Sequence, residues 1–270
     1  SVLDGRAARI PPELFVYGGP MAAELTEPLE PVVPFGPIDH AVGAVLAGDV
    51  EAGLGWAGAR LAAAPDDPVA PLVLGRCLGR LEQRALAVSA FAVALDNALD
   101  GGALPAAVAA CWGLRDLDED ASSAYERVTR RFARGSHVAA PRTHAPPAIT
   151  LASRLEPFAP AQALPRTARA IEAAVIARQE RLAANPSPQA ASIPPLSTLQ
   201  PPALRAVVET LEVTYRDVGS LLVQQGTRSA EAFLVVRGEL EVQRTRRDGT
   251  TAAIARLGAG ALLGEVALLS

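Results

Sequence analysis

Two periodicities divide the chain. Over residues 38–134 apolar positions recur at helical spacing, and over 197–270 they alternate with polar ones in strand fashion. The stretch "LEVTYR" puts Leu211, Val213 and Tyr215 on one face and Glu212, Thr214 and Arg216 on the other, which predicts a half-buried strand. "FLVVRGELEVQR" reads as two strands broken at Arg237-Gly238, with Leu240 and Val242 inward and Glu239, Glu241 and Gln243 outward. Asp248-Gly249 predicts a hairpin turn, and a further strand runs to Leu257. Glycines at Gly219, Gly226, Gly238, Gly249, Gly258 and Gly260 would turn short antiparallel strands repeatedly. The expected architecture is a small antiparallel β-barrel or jelly roll at the C-terminal end of a helical array.

Proline interrupts both patterns. Residues 1–37 form a proline-rich segment with little periodicity, and residues 135–196 read as a proline-rich linker. One amphipathic helix is predicted inside that linker over 165–184, starting at Pro165. Its apolar side is expected to carry Leu164, Ala168, Ile171, Val175 and Leu182.

The helical zone repeats itself. A shift of 34 residues superposes Ala41, Gly75 and Ala109, then Gly53, Ala87 and Ala121, then Ala57, Phe91 and Tyr125. Small residues at two points of each unit let paired helices approach closely, and the larger residue at the third fills the groove beside them. "PLVLGRCLGRLEQRALAVSAFAVAL" is the best-formed unit, and this pattern resembles the tetratricopeptide repeat. The resemblance implies about three degenerate helical hairpins whose groove binds a protein partner. Cys77 and Cys111 occupy equivalent positions on successive first helices. Packed helices lie about 8–10 Å apart, beyond disulfide reach, so both are expected as buried free thiols.

Charge and composition narrow the function classes. The net charge of −4 argues against a general nucleic-acid binder. Every basic residue is arginine, and alanine, proline and glycine are heavily used, a composition associated with GC-rich bacterial genomes. No apolar run approaches the roughly 18 residues of a membrane span and no signal-peptide pattern opens the chain, so a cytoplasmic protein is expected. "GAGALLG" misses the dinucleotide fingerprint by one residue of spacing. "DLDED" lacks the glycine and spacing of a calcium loop and fits an inter-helix turn. His137 and His144 have no cysteine or carboxylate partner nearby in sequence, so no metal site is expected. The arginines of "ERVTRRFARGS" suit a helix C-terminus, with a basic interaction surface as the alternative. No catalytic motif is present, and the expectation is a protein that is not an enzyme.

The C-terminal features fall in one consistent order. "PLSTLQPPALRAVVETLEV", then "GSLLVQQGTRSAEAFLVVRGELEV" with Gly219, Gly226, Phe233 and Gly238, then "LGAGALLGEVALLS" together resemble the cyclic-nucleotide-binding domain family. The last stretch is similar to the start of that family's phosphate-binding cassette. The resemblance implies cyclic AMP or cyclic GMP as a regulatory ligand and no resident cofactor. Gly264 would allow close backbone approach, and Glu265 would accept a hydrogen bond from the ribose 2′-hydroxyl. Val266, Ala267 and Leu268 would supply backbone amides and an apolar floor. The family's phosphate-binding arginine would fall beyond Ser270, so the expectation is a chain cut inside the cassette. The function implied is a cyclic-nucleotide-responsive regulator that also holds a protein partner. The alternative is a non-enzymatic scaffold whose β-domain binds no nucleotide.

Overall fold

Six helices between Pro37 and Phe132 follow one another through short turns: α1 (Pro37–Leu46), α2 (Val50–Ala63), α3 (Ala70–Arg80), α4 (Arg84–Gly101), α5 (Leu104–Asp116) and α6 (Ser122–Phe132). The computed structural model describes residues 36–136, 139–140, 155–184, 190–191, 193, 196–216, 219–223, 231–245 and 250–264. Local chemistry marks where these helices begin. The Asp39 carboxylate accepts from the Gly36 amide at 2.8 Å, and Pro37 supplies a preset first turn. Asp49 caps α2 by accepting from the Ala52 amide at 2.9 Å. Prolines also open α3, α5 and α8 (Pro201–Thr210).

Neighbouring helices pack as successive hairpins, α1 with α2, α3 with α4, and α5 with α6. The small positions do what their size permits. A Cβ on Gly75 would stand 2.7 Å from the Phe91 ring, and one on Gly113 would collide with the same ring. Phe91 of α4 is therefore wedged between glycines of α3 and α5. A Cβ on Gly53 would meet Val45 at 2.9 Å and the Cys77 sulfur at 3.1 Å, so α2 closes on α1 and α3 together. The third pair departs from the register: Gly53 and Ala87 lie inside α2 and α4, whereas Ala121 stands just before α6. Cys77 and Cys111 are free and buried on α3 and α5.

The helix expected from Pro165 begins instead at Pro160, and α7 runs to Ala184 with Pro165 inside its first turns. Its buried face matches the expected one at Ile171 and, half-buried, at Leu164, but not further along. Ala163, Thr167, Ala170, Ile171 and Ala174 are buried, while Val175 and Leu182 are exposed. The reason lies on α2, against which α7 packs. There Gly55 and Gly58 leave no room for a Cβ against Phe158 and Thr167, so the axes come close and small side chains fill the seam. Arg178 fixes the other side of α7 to α4, reaching Asp100 at 2.7 Å and Asp96 at 3.1 Å.

The C-terminal part starts with a short 3-10 turn (Leu196–Thr198) and α8, whose Leu204 and Val208 are fully buried against α6 and its neighbours. Strand pairing follows in small ladders. β3 (Phe233–Leu234) pairs antiparallel with β6 (Leu262–Leu263), and β4 (Leu240–Thr245) pairs antiparallel with β5 (Thr251–Leu257). A two-residue parallel bridge joins β1 (Ala139–Ala140) to β2 (Ala190–Ala191). No closed barrel exists among the described residues, so the jelly-roll expectation reduces here to separate two-stranded pieces. The expected strand Leu211–Arg216 forms no regular element and pairs with no described strand; Val213 and Tyr215 pack on helices instead. Leu240 points inward as expected, but Val242 is only half-buried, as are Glu241 and Gln243. The ladder pair Thr245↔Thr251 brackets the expected Asp248-Gly249 turn, which lies outside the described residues.

Candidate functional site

The run "FLVV" is apolar without alternation, the signature of a strand buried on both faces. Its two faces enter two different cores. Leu234 and Val236 join the core built by α4, α5, α6 and α8, with Leu262 of β6 packed beside them. Phe233 and Val235 form the small core of the β unit with Leu240, supported by Leu222, Leu257 and Leu263. Beyond β3 the Gly260 amide donates to the Val235 carbonyl at 2.8 Å, and the Val235 amide donates to the Ala261 carbonyl at 2.9 Å. These bonds need the left-handed turn at Gly260 (φ +90°), which sets β6 against β3.

β6 delivers the chain to Gly264. That residue has φ +78°, and a Cβ on it would collide with the Glu231 carbonyl oxygen. Backbone conformation and space therefore both demand glycine here, at the entry to "GEVALLS". The close approach made by Gly264 is to the chain's own backbone at Glu231 and Ala232. Glu265, Val266, Ala267 and Leu268 lie outside the described residues.

Order of glycines, buried strand and strained entry turn together identify the segment. Residues 215–270 match the cyclic nucleotide-binding domain. Neither a curated protein nor a solved structure matches the chain.

The matched segment and its lead-in from α8 rest on the first helix of every pair. On α5, Arg115 donates to the Glu209 carbonyl at 2.6 Å and to the Leu211 carbonyl at 3.5 Å. On α3, the Arg76 guanidinium carbon lies over the Tyr215 ring at 4.5 Å from its centroid. On α1, the Asp39 carboxylate receives Arg237 from the turn between β3 and β4 at 3.0 Å. Leu72, Ala109, Trp112 and Val213 line the seam around Arg76 and Tyr215. Burial raises the Tyr215 phenol to about 12, opposed by the Arg76 charge, so the ring enters the seam neutral.

Sequence reasoning missed this seating. Asp39, Arg76, Arg115 and Arg237 carry no motif, and Asp39 and Arg237 are 198 residues apart. The one available signal was Tyr215, an aromatic at the inward position of "LEVTYR" with no strand partner evident. "DLDED" occupies the turn between α5 and α6, where Asp120 accepts from the Ser122 amide at 2.9 Å. His137 and His144 lie outside the described residues. Among the described residues no cluster of His, Cys, Asp or Glu could hold a metal ion, and no helix is long and apolar enough to cross a membrane.

Proposed function

We propose that the protein is a cyclic-nucleotide-responsive regulator in which the nucleotide-binding segment governs a tetratricopeptide-like helical array. The carrying observation is the run of residues 233–236, β3 and the two residues after it, which shares Leu234 and Val236 with the helical core and Phe233 and Val235 with the β core. β6 pairs with that strand and ends at Gly264, so a ligand held just beyond it acts on a strand embedded in both cores. The ligand is cyclic AMP or cyclic GMP. In this reading Glu265 takes the ribose hydroxyl, and Gly264, Val266, Ala267 and Leu268 line the phosphate.

The first-helix face of the array, where a protein partner would bind, is the face already covered by Tyr215 and Arg237. Nucleotide binding regulates that face only by favouring one arrangement of the segment over another. The role is regulatory rather than catalytic.

Calorimetric titration of the full-length protein with cyclic AMP and cyclic GMP tests this reading, with Glu265→Ala beside it. Heat for at least one nucleotide, lost or reduced at least about tenfold in the variant, is expected from loss of a charge-assisted hydrogen bond. A folded protein that yields no heat with either nucleotide leaves the β unit as an interaction module only.

A further inference from the structure

The seam beneath Tyr215 reads a chain two residues at a time. Leu211, Val213 and Tyr215 all pack on the helical cores, and the Arg115 guanidinium donates to the carbonyls of Glu209 and Leu211. Side chains and carbonyls taken at every second residue are the register of an extended peptide. The present occupant belongs to the chain itself. Residues 211–216 enter no helix or ladder among the described residues, so no ladder locks them to the array. A segment without ladder hydrogen bonds sits at the low-stability end of a fold and opens ahead of the helices beneath it.

That occupant leaves part of the seam unserved. Arg76 meets Tyr215 through the face of its guanidinium, a contact that uses none of its N–H donors. The Arg76 Nε is buried with no hydrogen-bond partner, and neither Arg76 nor Arg115 pairs with a carboxylate among the described residues. A buried donor left unmet costs stability, and a carboxylate is an acceptor that a guanidinium fork matches closely. The residue after the ring is Arg216, a like charge where Arg76 calls for an acid.

We propose that this seam is the docking site for an extended peptide of a protein partner. The peptide carries a branched apolar residue two positions before an aromatic one, and a carboxylate directly after it. In the docked state its ring replaces Tyr215 beneath Arg76, and its carbonyls replace those of Glu209 and Leu211 at Arg115. Its carboxylate meets the Arg76 Nε. Leu72, Ala109 and Trp112 supply the apolar wall. Residues 209–216 fill the seam when the partner is absent. Their tether gives them an effective concentration of about millimolar, against which the partner competes. This docking rests on the reading of the helical array as the partner-binding part of the protein.

The test is fluorescence anisotropy of labelled synthetic peptides on the full chain. The probes are the peptide of residues 209–216 and its Arg216→Glu form. The Arg216→Glu peptide is expected to bind Tyr215→Ala protein at least about tenfold more tightly than wild type, because the variant has lost the anchor of its tethered competitor. On the same variant it should bind at least about fivefold more tightly than the unaltered peptide. Adding Arg76→Gln should erase that preference. Equal affinity of wild type and Tyr215→Ala, or a preference that survives Arg76→Gln, would overturn the proposal. Wild type supplies a reading that needs no variant. At about millimolar concentration, the Arg216→Glu peptide with benzoylphenylalanine in place of its tyrosine should photocrosslink to α3 or α5. Crosslinks confined to other helices, or none, would equally overturn it. These mixtures contain no nucleotide, so an absence of nucleotide heat sinks the regulator reading and leaves the docking result unchanged.

Discussion

The Arg76 guanidinium of α3 covers the ring of Tyr215, the residue at which the cyclic nucleotide-binding match begins. A cation over a ring face in a partly desolvated seam contributes about 1–2 kcal/mol, and the ring adds apolar burial. Replacing Tyr215 with Ala is expected to cost about 2–3 kcal/mol in chemical denaturation. Hydrogen exchange should also accelerate in α3 and α5, the helices that line the seam. An unchanged exchange pattern there would show that the segment does not lean on the array.

Arg237 and Asp39 join the turn after β3 to the start of α1 across 198 residues. Their side chains are 34% and 18% exposed, so screening limits the pair. A double-mutant cycle with Arg237→Ala and Asp39→Ala should give a coupling of about 0.5–1 kcal/mol, falling at high salt. Asp39→Ala alone should cost more than Arg237→Ala, because that carboxylate also caps α1 at Gly36.

Gly113 and Gly75 hold the Phe91 ring between them. Gly113→Ala is expected to destabilise the protein by about 1–3 kcal/mol through overpacking, despite the higher helix propensity of alanine. Phe91→Leu should partly rescue it by vacating the ring position. A Gly113→Ala protein as stable as wild type would contradict the wedge.

Gly264 tests the cassette entry through its backbone conformation and leaves Glu265 in place. Gly264→Ala meets both the positive φ and the Glu231 carbonyl, so β6 must move off β3. A loss of about 1–3 kcal/mol is expected, together with loss of nucleotide heat in calorimetry. Full binding in a variant that keeps its fold would detach Gly264 from the site.

Burial raises both thiols from 9.0 to about 12, partly offset by Arg80 and Arg76 at Cys77 and by Arg127 at Cys111. A raised acid stays protonated in the folded protein while the unfolded chain ionises. Their contribution is therefore complete below pH 9 and is lost progressively as pH climbs from about 9 to 12. Unfolding titrations across that range should show a steeper alkaline fall in wild type than in Cys77→Ala, Cys111→Ala protein. Native thiols should resist alkylation at pH 8 and react once denatured.

Much of the helical half was legible because its signals are local. Prolines at helix starts, Asp49 as a cap, and Gly75 against Phe91 act within one or two turns or one neighbouring helix, and a 34-residue shift picks out Gly75 and Phe91. The C-terminal match was legible for a related reason. Glycines at Gly219, Gly238, Gly260 and Gly264 all have positive φ, a backbone requirement that sequence displays directly.

Sequence by itself therefore determined the helical zone, the tight small-residue positions and the family resemblance of the last segment. Tertiary structure alone decided what covers each apolar face. Periodicity reports that a face avoids water, not which surface takes it. The alanine side of α7 won over its Val175 and Leu182 side because Gly55 and Gly58 on α2 admit only small side chains. "LEVTYR" has strand alternation, yet its inward residues found α3 and α5 rather than another strand. Arg237 found Asp39, and Arg178 of α7 found Asp96 and Asp100 of α4, through folding that no local pattern encodes. Such pairings depend on the summed packing of every intervening helix, so they emerge only when the chain closes.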